Sequence, residues 1–120
     1  MDEERTVASL RELVLRFRDA RDWAQFHTPK DLAMGLGIEA AELAELFLWK
    51  QPDEIAAMLA DARGKGRVAD ELADVLVYVL YLSSATGIDL SEALTAKMAK
   101  NAAKYPVEKA RGSAKKYDEL

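Results

Sequence analysis

Cysteine is absent from this chain, and histidine occurs once, at His27. Without thiols there is no disulfide framework and no thiolate zinc site. Proline and glycine are scarce, three and six in 120 residues, which disfavours a many-turned barrel or sandwich. Val, Ile and Thr together number 14, against 21 Ala and 16 Leu, a balance that favours helix over strand. The longest apolar run, Val75 to Leu82, is too short to span a bilayer. No charged-then-apolar signal segment opens the chain, so a cytoplasmic location is expected. A formal net charge of -4 argues against a dedicated nucleic-acid binder, whose footprint is basic. Neither a nucleic-acid partner nor a membrane is therefore expected.

What remains is an Ala- and Leu-rich chain long enough for one domain, residues 1–120, with a modest core of its own or a share of a larger one. Its charge is uneven. Lys97 to Lys116 holds seven basic residues and one acid, a local +6, leaving about -10 on the rest.

Hydrophobic spacing predicts four substantial helices with one short extra helix, and hence an all-α, four-helix-bundle architecture. The first helix is expected over residues 7–25. The second starts after the Thr28-Pro29 cap and runs to about Trp49, stopped by Gln51-Pro52. Asp53 to Ala60 reads as the short helix, and Asp61 to Gly66 as a polar loop. The third long helix is expected from about Arg67 to Thr86, with Gly87 as its cap. The fourth runs from about Leu90 to Lys104. Residues from about 105 to 120 read as an irregular basic arm. Val75 to Leu82 is apolar or aromatic on every side, and three neighbours in so short a chain cannot easily enclose it. A homo-oligomer is therefore expected.

Two acid pairs stand out. On the second helix, Leu32, Leu36, Leu43 and Phe47 define the core stripe. Glu39 falls inside that stripe and Glu42 on its flank. The third helix carries Glu71 and Asp74 on one face with Tyr78 and Tyr81. Carboxylates at i and i+3 point the same way, and ionised acids in apolar stripes need compensation. A divalent cation supplies it, and hard oxygen ligands select magnesium, manganese or calcium. Solvated helix acids paired with Lys or Arg are the competing explanation. A di-iron carboxylate bundle needs Glu-x-x-His, and His27 is expected in a loop.

The spacing Glu39-x-x-Glu42 and Glu71-x-x-Asp74 resembles the signature of the MazG-like, all-α nucleoside triphosphate pyrophosphohydrolases. Arg21-Asp-Trp-x-Gln-Phe-His27, Glu42-Leu-Ala-Glu-Leu-Phe-x-Trp-Lys50, Glu71-Leu-x-Asp-Val-Leu-x-Tyr78, Tyr105-Pro-Val and Lys116-Tyr-x-Glu-Leu120 are similar to the dCTP pyrophosphatase branch. The resemblance implies hydrolysis between the α and β phosphates, with magnesium (or manganese) held by Glu39, Glu42, Glu71 and Asp74. It also implies a homo-oligomer, with a tetramer favoured over a dimer. Glu45, one turn beyond the ligand pair, is a candidate general base or outer-shell ligand; the alternative is an exposed acid paired with Lys.

Trp49 follows Glu42, and Tyr78 follows Glu71, by seven residues, two turns along nearly the same helical face, from which either could reach a base; the resemblance adds the other candidate substrate contacts. Trp23, Gln25, His27, Trp49 and Tyr78 would surround the base, and Lys97, Asn101, Tyr105 and Lys116 would meet the phosphate tail. Core or interface packing is the plainer reading of the aromatics. Val14 stands where vertebrate members carry a His facing the base. The substrate implied is dCTP or modified dCTP; dUTP or non-canonical triphosphates are the alternative. A helical module that binds nucleotide without hydrolysing it is the alternative of another class.

Overall fold

A computed structural model describes all 120 residues, and it is helical throughout, with no strand. The elements are α1 (Val7–Ala20), α2 (Pro29–Glu45), α3 (Pro52–Ala60), α4 (Ala62–Thr86), α5 (Leu90–Lys104) and α6 (Val107–Ala110). Short 3-10 turns lie at Ala24–Phe26 and Tyr117–Glu119. Two compact units emerge, Met1–Gly87 and Ile88–Leu120. No single helix is long and apolar enough to cross a membrane.

Polar caps set most helix starts. Thr6 and Ser9 exchange side-chain-to-backbone hydrogen bonds at 3.0 Å, satisfying the free amides that open α1. Thr28 Oγ1 accepts from the Asp31 amide at 3.2 Å, and Pro29 needs no partner at the first helical position. Asp61 Oδ2 accepts from the Gly64 amide at 3.0 Å, and Asp89 Oδ1 accepts from the Glu92 amide at 2.8 Å. Gly87, at φ 70°, closes α4 in the left-handed conformation that glycine tolerates.

In the first unit, α1, α2 and α3 all pack on α4. The buried residues are Leu32 of α2 and Leu80, Tyr81 and Ser83 of α4, with Gly64 near the start of α4. Gly64 is a point of close approach. A Cβ there would lie 2.3 Å from the Met58 carbonyl oxygen, so only glycine lets α3 and α4 meet this tightly.

Several boundaries differ from those expected. The first helix ends at Ala20 rather than 25, because Asp22 turns the chain at φ 54° and a 3-10 turn follows. The second ends at Glu45 rather than Trp49. Residues 46–50 tighten into hydrogen bonds three residues back, such as Phe47 N–H to Ala44 O at 3.0 Å, and Trp49 turns left-handed at φ 63°. The segment 61–66 is no loop. Asp61 caps it, and α4 runs from Ala62, five residues earlier than expected. The arm is not wholly irregular, since α6 and the second 3-10 turn lie within it. There, Lys104 Nζ lies 4.9 Å from the centroid of the Tyr117 ring, whose neighbour is Tyr105 at 6.3 Å, edge to face.

Candidate metal centre and adjoining cavities

The acid pairs on α2 and α4 converge. One carboxylate oxygen each from Glu39, Glu42 and Glu71 lie within 4.8 Å of one another. Glu39 and Glu71 are half-buried, and each has an Oε2 shielded from solvent with no hydrogen-bond partner. Buried polar atoms almost always find partners, so two orphaned oxygens in one cluster are exceptional. Desolvation raises the Glu39 carboxyl above its ordinary value. A hydrogen bond with Glu42 and the charges of Glu42, Asp74 and Glu71 raise it further. Glu71 is raised by desolvation first, then by the charges of Glu42 and Asp74. Asp74 is outside the 4.8 Å set, yet its field acts on both glutamates.

Two cavities adjoin these helices. One, of 260 Å³, is lined by Trp23, Phe26, His27, Asp31, Leu32 and Tyr78. The other, of 290 Å³, is lined by Leu13, Val14, Phe17, Asp74, Val77 and Tyr81. An aromatic run links their walls. Tyr78 meets Tyr81 edge to face at 6.0 Å, and Tyr81 meets His27 at 4.5 Å. Burial, then the charge of Arg18, holds the His27 imidazole below its ordinary value, and its Nδ1 is buried without a partner. Burial likewise pushes the Tyr81 phenol up. Trp23 is held at the rim by an edge-to-face contact with Phe17 at 5.8 Å.

A family model described as the MazG-like family matches residues 35–120, which takes in all four acids of the two pairs. This chain belongs to the MazG-like family. Its relatives include dCTP pyrophosphatase 1 of Homo sapiens and of Bos taurus. Each is 40% identical over 117 residues, covering 98% of this chain and 69% of the relative. Among solved structures, a pyrophosphatase from Archaeoglobus fulgidus is similar at 45% identity and a TM-score of 0.76. That match covers 82% of this chain and 91% of that one.

Within this MazG-like protein the expected site residues fall in several different places. Glu39, Glu42 and Glu71 cluster as carboxylates, while Trp23, His27 and Tyr78 share the 260 Å³ cavity. Gln25 and Trp49 line neither cavity. The Gln25 amide donates to the backbone oxygen and the carboxylate of Asp22 at 3.0 and 3.1 Å. Trp49 is 88% exposed; its expected place two turns beyond Glu42 on one helical face is corrected, because α2 stops short of it. Glu45 is the exposed last residue of α2, outside the carboxylate cluster. Lys97, Asn101, Tyr105 and Lys116 belong to the second unit, where Lys97 and Lys116 are exposed and Asn101 is half-buried.

Phe26, Asp31 and Leu32 were not singled out from the sequence as cavity residues. A signal was present: Asp31, Gly35, Glu39 and Glu42 recur every three or four residues, one continuous face of α2. The carboxylates fit a hard divalent cation. Their oxygen donors are close together, two are unpartnered, and no Lys or Arg makes an ion pair with Glu39, Glu42 or Glu71.

Proposed function

We propose that this chain is a divalent-metal-dependent nucleoside triphosphate pyrophosphohydrolase that converts dCTP or modified dCTP to the monophosphate and pyrophosphate. The observation that carries this reading is the carboxylate cluster built from α2 and α4, which has two unpartnered oxygens and no Lys or Arg ion pair; the same two helices supply Asp31, Leu32 and Tyr78 to an aromatic cavity. The names of the relatives supply the substrate.

Glu39, Glu42, Glu71 and Asp74 would hold Mg2+, with Mn2+ an acceptable substitute. The ion would supply neutralising charge for the phosphate oxygens and acidity to a bound water. In the overall reaction, water is added across the bridge between the α and β phosphates, giving the monophosphate and pyrophosphate. Trp23 and Tyr78 offer flat surfaces to the base, while His27 offers its unpartnered ring nitrogen Nδ1 for a hydrogen bond. Asp31 places an acceptor in the same cavity, suited to an exocyclic amine. Glu45, at the end of α2, is the proposed general base or outer-shell ligand. Lys97, Asn101, Tyr105 and Lys116 are the proposed tail contacts. Their support is the concentration of positive charge in residues 97–116 and the single helical face shared by Lys97, Asn101 and Lys104. Gln25 and Trp49 stay in the proposed base-side set on family resemblance alone.

The proposed assembly is a homo-oligomer, a tetramer before a dimer. Leu72 and Leu76 of α4 are 57% and 45% exposed, an apolar face that a second copy would cover. Sedimentation of the wild type should give a dimer or tetramer, and Leu76→Glu should shift it toward monomer. The proposed setting is the cytoplasm, where magnesium and nucleoside triphosphates coexist.

The decisive experiment incubates the protein with magnesium and a nucleotide panel that includes dUTP and damaged purine triphosphates. Pyrophosphate release, fastest from dCTP or its modified forms, is expected. Orthophosphate release, or no turnover of any triphosphate, overturns the reading. Tight calorimetric binding without product would favour the non-hydrolysing module instead.

A further inference from the structure

Gly35 sits in the middle of α2, one turn after Asp31 of the cavity and one turn before Glu39 of the carboxylate cluster. Glycine in a helix interior is unfavourable relative to alanine. At this position there is a specific reason for it. A Cβ on residue 35 would lie 2.4 Å from Cε1 of the Tyr78 ring, 2.9 Å from Cζ and 3.0 Å from Cδ1. The ring of Tyr78 therefore rests directly on the bare backbone of α2. Gly37, two residues further along the same helix, would meet nothing within 4 Å. Of the two glycines of α2, only Gly35 is closely approached.

Tyr78 has further ring neighbours. Its ring meets Tyr81 edge to face at 6.0 Å, and Tyr81, 6% exposed, meets His27 at 4.5 Å. Tyr78 and His27 are both walls of the 260 Å³ cavity, and Asp31 and Leu32 line it from α2. Whatever displaces Tyr78 from its seat on α2 changes the wall against which a flat ligand stacks, and it does so without touching a carboxylate.

We propose that Gly35 is a specificity-determining positioning residue: by lacking a Cβ it seats the Tyr78 ring against α2 and thereby shapes the cavity that receives the base. This rests on the pyrophosphohydrolase reading above, which assigns the cavity to a nucleobase. Gly35 acts on the base end of the ligand only. The phosphate end, governed by the carboxylate cluster, is left as it was.

The test compares two probes in the presence of magnesium, read by calorimetry: the non-hydrolysable α,β-imido analogue of dCTP, and inorganic tripolyphosphate, which has no base. For wild type the analogue should bind more tightly, and the ratio of the two Kd values measures what the base contributes. In Gly35→Ala that ratio should fall by about tenfold or more, as expected when a positioning wall is displaced, with tripolyphosphate binding unchanged. Gly37→Ala should keep the wild-type ratio. Gly35→Ala placed in a Tyr78→Leu background should cost nothing beyond Tyr78→Leu itself, because the obstructing ring is gone. That pair also decides the matter should Gly35→Ala alone fold poorly. An unchanged ratio in Gly35→Ala, or an undiminished loss in the Tyr78→Leu background, overturns the proposal and leaves the proposed function standing. A wild-type protein that does not distinguish the two probes overturns both.

Discussion

Glu39 on α2 and Glu71 on α4 each turn one carboxylate oxygen into a solvent-shielded position where nothing donates to it, in a cluster whose ligand atoms lie within 4.8 Å. Helix faces on two separate elements, set by the 3.6-residue repeat, bring like charges together. Neither pairs with a Lys or Arg. Such an arrangement is unfavourable while the acids are all ionised, and either protonation or a bound cation would relieve it.

The pH dependence of stability follows with a definite sign. Both carboxyls are raised above the ordinary value of 4.5, so the folded state holds their protons more tightly than the unfolded chain does. Their contribution is fully present below 4.5 and is lost as pH rises through the folded values. In metal-free buffer, wild type should therefore lose stability relative to the Glu39→Gln, Glu71→Gln double variant as pH climbs from 4.5 to neutrality. Paired thermal melts across that range check it; a difference that is flat with pH contradicts it.

Magnesium should reverse that penalty. A cation at a thousandfold excess over its Kd stabilises the folded state by about 4 kcal/mol. Wild type should gain several degrees in Tm on adding magnesium, and each single Gln variant should gain far less. Calorimetric titration with magnesium alone gives the corresponding affinities.

Turnover should depend on the two acids that complete the pairs. Glu42→Gln and Asp74→Asn should each lower kcat by at least about a hundredfold, the scale of losing a group that stabilises developing charge. Far-ultraviolet circular dichroism should remain that of wild type. Near-normal rates in either variant would place the metal elsewhere.

Trp49 carries two opposed expectations. Its left-handed backbone costs a non-glycine residue about 1–2 kcal/mol, and its ring, 88% exposed, buries little in return. Trp49→Gly should therefore raise the melting temperature. If the indole meets the base as proposed, the same change should raise KM. Stability up with KM unmoved would remove Trp49 from the site.

Glycines 64 and 66 should respond oppositely to alanine. At Gly64 the added Cβ meets the Met58 carbonyl oxygen at 2.3 Å, and such overpacking costs about 1–3 kcal/mol. At Gly66 the space is open, and alanine should stabilise α4 by about 0.5–1 kcal/mol. Chemical denaturation of the two variants reads both.

The acid pairs were legible because they depend on helical spacing alone, which tertiary structure seldom overrides over long amphipathic stretches. The Thr28 and Gly87 caps were legible for the same local reason. The end of α2 was not. Nothing in Leu46 to Trp49 is a helix breaker by composition, and the chain tightens there through hydrogen bonds three residues back. The start of α4 was hidden by Gly64 and Gly66, which suggest a loop. Gly64 is present for its close approach to Met58, and Asp61 supplies the cap. Asp31 reads as an ordinary first-turn acid, and only the fold shows it lining a cavity with Trp23, His27 and Tyr78. The stacking of His27 on Tyr81 joins a loop to a distant helix, and no local pattern encodes it.

α4 runs without interruption from Ala62 to Thr86 and carries both Glu71 of the carboxylate cluster and Tyr78 of the aromatic cavity. At about 1.5 Å of rise per residue, the two stand roughly 10 Å apart along the helix axis. That separation is set by backbone geometry and not by the packing of movable parts. The helix is therefore a gauge. Substitutions on α1 or α2 can reshape what is read at either end, while the distance between the ends stays the same. On the proposed reading, a ligand whose flat ring and charged oxygens are spaced to match would engage both marks; one that is shorter or longer would engage one.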